Sequence, residues 1–133
     1  QSLLKSINYQ TVIQKRNSNF LHLHQNLKNS NEFTPIIKKS PIHGPMAYPF
    51  LHKNNADLRK KLIENRIYVA QYWPNIAQWL KDQDCQEVHL YHNLIPLPID
   101  QRYDQNDMNT ILEVIESASR IGINPYSKFK KTR

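Results

Sequence analysis

Apolar positions first mark a helix near the start of the chain. Asn8 suits an N-cap, and Val12, Ile13, Phe20, Leu23 and Leu27 then recur at spacings compatible with one face. The polar cluster Asn29-Ser30-Asn31 predicts its end. Pro35, Pro41, Pro45 and Pro49 exclude a long helix from the next stretch, because a proline lacks the N–H and clashes with the preceding turn. Within it, residues 46–51 read as a strand, with Pro49 at an edge or bulge position. Asn55 can cap a second helix carrying Leu58, Leu62 and Ile63. Residues 67–72 are rich in β-branched and aromatic side chains and predict a second strand, ended by Pro74. Asp84-Cys85-Gln86-Glu87 has capping-box form and opens a short helix to about His92. Residues 94–99 are apolar but broken by Pro96 and Pro98, a short strand at best. Asp104 caps the last helix, where Met108, Ile111, Leu112 and Ile115 form an apolar face that should be buried. Gly122 is its expected stop.

This order predicts an α+β fold: a small, mainly antiparallel sheet of about three strands layered with helices. Residues 1–123 form one domain, and 124–133 form a basic tail holding Lys128, Lys130, Lys131 and Arg133.

Composition narrows the function classes. Among 133 residues only Gly44 and Gly122 are glycine, so a glycine-rich phosphate cradle cannot be built. Cys85 is the single cysteine. It excludes an internal disulfide and fits a reducing compartment, so a cytoplasmic location is expected. No apolar run approaches the roughly 20 residues that span a bilayer, and no membrane partner is expected. The start, Gln1-Ser2-Leu3-Leu4-Lys5, has neither Met nor a signal-peptide layout and reads as a chain that begins elsewhere or was cut. The net charge of +7 is compatible with nucleic acid, anionic membrane or a phosphorylated substrate, and selects none of them.

Candidate chemistry is sparse. His22 and His24, two apart on a helix, point to different sides and suit a metal poorly. His89 and His92 share a face but lack a third ligand in the same pattern. Cys85 has no base placed beside it by sequence. Two breaks between elements carry more: Tyr72-Trp73-Pro74, and Asp100-Gln101-Arg102-Tyr103. Trp73 offers a flat apolar wall with one N–H donor. Arg102 offers a forked cation suited to phosphate or carboxylate, or to local pairing with Asp100 or Asp104.

Read in order, several segments resemble the C-terminal small domain of the DegT/DnrJ/EryC1/StrS family of pyridoxal-phosphate-dependent sugar aminotransferases. Ala47-Tyr48-Pro49-Phe50-Leu51 resembles the family's tyrosine-proline strand. Leu58-Arg59, then Leu62, a turn and Ile67, resembles its helix-to-strand passage. Tyr72-Trp73-Pro74 stands where the family commonly has His, then Tyr or Trp, then Pro. Leu97-Pro98-Ile99-Asp100-Gln101-Arg102-Tyr103, followed by Asp107-Met108, resembles the approach to its final helix. The similarity spans about residues 8–117.

The resemblance implies the small domain of the aspartate-aminotransferase fold. It implies a large domain, outside these residues, that holds pyridoxal phosphate on a lysine. The implied reaction passes an amino group from an amino acid, typically glutamate, to a nucleotide-linked keto-sugar in a homodimer. None of the lysines here matches the family's lysine motif, so the chain alone is expected to be inactive and to hold no cofactor. Tyr72, Trp73, Arg102 and Tyr103 are the implied substrate-side residues. A domain parted from its neighbour should also expose an apolar patch, with Phe20 of the first helix in it. The competing reading is a free-standing basic binding module, for nucleic acid or another anionic partner. Most aromatics lie in apolar strand patterns rather than interleaved with basic residues, which disfavours a nucleic-acid surface.

Overall fold

The computed structural model describes residues 2–52 and 55–121. Gly122 and the basic tail lie outside the described residues. The elements are α1 (Ser2–Lys5), α2 (Tyr9–Leu27), α3 (Thr34–Ile37), β1 (Ala47–Leu51), α4 (Asn55–Glu64), α5 (Ile76–Trp79), α6 (Gln86–Asn93), β2 (Leu94–Pro98) and α7 (Gln105–Ile121). β1 and β2 pair antiparallel, with Tyr48 opposite Leu97 and Phe50 opposite Ile95. These four side chains share one face of the ladder and are buried, as the two-residue period of a strand requires. α2, α4 and α7 cover them: α7 packs on both α2 and α4, while α2 touches β1 and α4 touches β2. The fold is therefore mixed, with a small antiparallel sheet, as the pattern predicts.

Pro49 faces Pro96 across the ladder. Two residues without N–H groups can oppose each other only at a non-hydrogen-bonded pair, where the backbone polar groups point away from the partner strand. The outward groups of β1 then need another partner. Asn31, which is buried, supplies it: its Oδ1 accepts from Leu51 N at 3.0 Å and its Nδ2 donates to Pro49 O at 2.9 Å. One side-chain amide does the work of a neighbouring strand. Glu32 N adds a bond to Leu51 O at 2.9 Å.

The helices form for local reasons. Asn8 caps α2 by accepting from Thr11 N, and the helix ends before the predicted polar cluster. α7 opens with a reciprocal cap: Asp107 N donates to Asp104 Oδ1 at 3.0 Å, and Asp104 N donates to Asp107 Oδ2 at 2.8 Å. Met108, Ile111 and Ile115 are buried with Val114, and Leu112 is half-buried against the same core. The Asp107 N–H holds the Asp104 carboxyl below its ordinary range. The stabilisation is thus present above the usual carboxylate pKa and is lost as pH falls through the depressed value. Asp104→Asn keeps a capping oxygen but cannot titrate. Thermal melts from pH 7 to pH 3 should therefore drop less steeply for the variant, and parallel curves would count against the cap as a titrating group.

Three expectations require correction. Residues 67–72 form no strand, and the sheet has two strands rather than three. Ile67 and Val69 pack on the core while Tyr68 and Ala70 face solvent, so the strand-like alternation is kept without a ladder. The guanidinium of Arg59 stands where a ladder would run, donating to Ala70 O at 2.8 Å and to Leu94 O at 2.9 Å. Asp84 caps nothing: α6 starts at Gln86 behind Cys85, which makes no side-chain cap, and Asp84 N instead bonds Asp82 Oδ1. Phe20 is buried, set edge-on against Tyr48 with ring centroids 5.0 Å apart, because it lies on the core face of α2.

Candidate functional site

α4 ends at a carbonyl-capping turn in which Ile67 N bonds Leu62 O and Arg66 N bonds Ile63 O. Arg66 occupies the left-handed position at φ 61°, one that usually selects glycine. The chain then runs through 67–71 to Tyr72 and Trp73. Their rings lie 5.9 Å apart at 52°. Trp73 is 68% exposed and also has positive φ, 51°, a conformation costing a bulky L-residue roughly 1–2 kcal/mol. An indole held in a strained turn and left in water is the kind of feature found at ligand sites. Tyr68 and Trp79 are exposed on the same stretch of chain.

The second segment leaves β2 at Ile99. Asn19 of α2, fully buried, organises it: Nδ2 lies 3.2 Å from Ile99 O, 3.3 Å from Asp100 O and 3.1 Å from Tyr103 O. Its Oδ1 is buried and has no hydrogen-bond partner. Asp100 then turns the backbone by accepting from Arg102 N at 2.8 Å. It also takes the Arg102 guanidinium on both oxygens, Nε at 3.0 and 3.1 Å and an Nη at 2.6 Å. Hydrogen bonds from Arg102 hold the Asp100 carboxyl below its ordinary range, against a smaller opposing effect of burial. Arg102 is exposed, so this pair adds little to stability, but it pre-sets the direction of the fork. Tyr103 is half-buried against the core.

Of the four residues marked by sequence, the structure thus joins Tyr72 to Trp73 and fixes Arg102 and Tyr103 on one turn. No hydrogen bond, ion pair or ring contact links the two pairs. Arg59 links their surroundings, because it ties Ala70, just before Tyr72, to the start of β2. Burial lowers the pKa of its guanidinium. Asn19 carries no mark in the sequence, and Arg59 is marked there only as part of the Leu58-Arg59 resemblance. The spacing of Arg59 beside Leu58 on an amphipathic helix marked a helix position, but nothing in it marks a bond to a carbonyl 35 residues away.

Two hollows lie elsewhere. A cavity of about 270 Å³ is walled mainly by apolar residues of α2, α3 and the 40–49 stretch. A groove of about 470 Å³ runs along α2, lined by Gln14, Asn17, Ser18, Leu21, His22, Gln25 and Gln105. Neither is lined by any of the four marked residues, and neither by a lysine. Neither hollow therefore offers the amine that a pyridoxal Schiff base requires. Among the described residues no group of three His, Cys, Asp or Glu side chains could hold a metal. His22 Nε2 instead meets Asn109 Oδ1 at 2.8 Å, and His24 Nδ1 meets the Tyr48 hydroxyl at 3.1 Å. No described helix is long and apolar enough to cross a membrane.

No family model matches the chain. No curated protein and no solved structure matches it at a significant level.

Proposed function

We propose that this chain is the small domain of a pyridoxal-phosphate-dependent sugar aminotransferase, acting in the cytoplasm and completed by a large domain that carries the cofactor. One observation supports the reading most. The segments that resemble the family in linear order are brought around one small sheet. The tyrosine-proline strand pairs antiparallel with the strand that leads into Ile99 and Arg102. The helix carrying Leu58 and Arg59 ties the 67–73 stretch to that second strand.

In this reading the domain supplies binding and orientation, and no chemical step. Arg102, its fork directed by Asp100, meets a carboxylate of the amino donor or a phosphate of the nucleotide sugar. Trp73 and Tyr72 form a wall for the sugar or base, and Tyr103 supports Arg102. The cofactor, held on the other domain, acts as the electron sink for amino transfer.

The test uses the intact protein containing this segment. It should retain pyridoxal phosphate through dialysis and move an amino group from glutamate to a nucleotide-linked keto-sugar. Arg102→Ala should then lower kcat/KM by roughly ten- to a hundredfold, mainly through KM, with an unchanged melting curve. No transfer across a panel of such sugars would overturn the function, as would retention of the cofactor by the 133-residue chain alone. Normal kinetics in Arg102→Ala would restrict Arg102 to pairing with Asp100.

A further inference from the structure

Tyr48 of β1 is fully buried, yet its side chain ends in a hydroxyl. Two side chains meet that oxygen: Asn31 Nδ2 at 3.0 Å and His24 Nδ1 at 3.1 Å. Their roles follow from the backbone. Asn31 Oδ1 accepts from Phe33 N and Leu51 N, which fixes the orientation of the amide and makes Nδ2 the donor to Tyr48. The hydroxyl therefore accepts from Asn31, and its own hydrogen needs an acceptor elsewhere. Burial raises the Tyr48 pKa, so that hydrogen stays on the oxygen. His24 Nδ1 is the partner left to receive it. The imidazole is then neutral, with its proton on Nε2.

This chain of bonds has no place for a second proton on the ring. With Nδ1 protonated, three donors would meet at one oxygen: the His24 N–H, the Asn31 N–H and the hydroxyl itself. The last would have no acceptor, and one contact must yield. The surroundings do not favour a charged ring either. His24 stacks on Phe20 with centroids 6.2 Å apart. The charges acting on it are those of Lys28 on its own helix and Lys38 just after α3, both positive. β1 brings Tyr48 as its titratable group, and His52 beyond it stacks on Phe50. Glu32, the acid of the connecting turn, is exposed, where water and salt screen it.

Asn31 carries more than the Tyr48 bond. It closes the outer edge of β1 through Leu51 N and Pro49 O. Phe33 and Pro49, both bonded to it, are walls of the apolar cavity.

We infer that Asn31, Tyr48 and His24 form a proton-operated latch: neutral His24 holds the 28–33 turn closed on β1, and its protonation releases Asn31, opening the strand edge and the cavity wall together. The inference rests on hydrogen-bond roles and is independent of the aminotransferase reading. Burial, then Lys28 and Lys38, hold the His24 pKa below the ordinary 6.5. The latch is thus at full strength above that ordinary value. It weakens as pH falls from there toward the depressed one, because the opened state takes up the proton more readily.

Nitrogen-15 NMR and amide exchange on the 133-residue chain test this. At pH 7 His24 should show a bare Nδ1 and a protonated Nε2. Between pH 7 and pH 5 the protection of the Phe33 and Leu51 amides should fall roughly tenfold, the effect of one lost hydrogen bond. The amides of Ile111 and Ile115 in α7 should keep theirs. His24→Gln can still accept from Tyr48 but does not titrate, so it should remove the pH dependence. Tyr48→Phe takes away the donor that favours the neutral ring, so the His24 midpoint should rise above that of the wild type. A proton on Nδ1 at pH 7, protection at Phe33 and Leu51 that is constant with pH, or an equal loss across α7 would each overturn the latch. So would a pH dependence that survives in His24→Gln, or an unchanged midpoint in Tyr48→Phe. The first three readings are made on the unmodified chain, so the test does not depend on either variant folding.

Discussion

Asn31→Leu is expected to destabilise the protein by about 2–4 kcal/mol, although the residue stands in a polar turn. The side chain is buried and fully used. Oδ1 accepts from Phe33 N and Leu51 N, each at 3.0 Å, while Nδ2 donates to Pro49 O at 2.9 Å and to the Tyr48 hydroxyl at 3.0 Å. Leucine fits the volume but leaves the outward N–H of Leu51 and the carbonyl of Pro49 without partners. Each stranded buried group costs about 1–3 kcal/mol. Asn31→Asp retains the two acceptor bonds and loses both donors, so its loss should be smaller than that of leucine if the Leu51 N–H dominates. Urea unfolding measures both, as a lower midpoint at constant slope. A loss below about 1 kcal/mol for leucine would show that water replaces the amide, and that the edge of β1 does not depend on Asn31.

Asn19→Asp should cost about 3–5 kcal/mol at neutral pH, the range for an uncompensated buried charge. The amide nitrogen of Asn19 faces three carbonyls, and its own oxygen is buried without a partner. A carboxylate there meets acceptors only. Its pKa must rise in the folded state, because both burial and the carbonyl dipoles disfavour the charged form. The sign follows: stability of the variant is highest below the ordinary carboxylate pKa of about 3.9 and falls as pH rises above it. Wild-type protein lacks this added slope. Chemical denaturation of both proteins from pH 3.5 to pH 7 reads the difference, and a deficit that stays constant with pH would sink the account. Because Asn19 holds the carbonyls of Ile99, Asp100 and Tyr103, the same variant should loosen the turn that presents Arg102. Asn31 has no such link to the candidate site, so its loss should act on stability alone.

The sequence by itself determined the elements whose reasons are local. Asn8 and Asp104 each bond a backbone N–H three residues on. The spacing of Met108, Ile111 and Ile115 fixed which side of α7 is buried. The apolar run 46–51 marked a strand, while the burial of Tyr48 and Phe50 on one face came with the pairing to β2. The segment 67–72 shows where that kind of reading stops. Its composition is that of a strand and its side chains alternate, yet a strand exists only where a second backbone stands within hydrogen-bonding distance. Here the Arg59 guanidinium takes the Ala70 and Leu94 carbonyls instead. Asn19 looks in sequence like a polar residue on an amphipathic helix, and Asn31 like a member of a solvated turn. Only the tertiary structure turned their amides inward to carbonyls and an N–H tens of residues away, because the outward groups of β1 and the turn after β2 would otherwise be buried unpaired. The candidate site divides along the same line. Residue types marked Trp73 and Arg102 as able to meet a ligand. The grip of Asp100 on Arg102 is local and stands among the pairings the sequence allows, whereas the hollow walled by α2, α3 and the 40–49 stretch arises from contacts between distant segments, which no local pattern encodes.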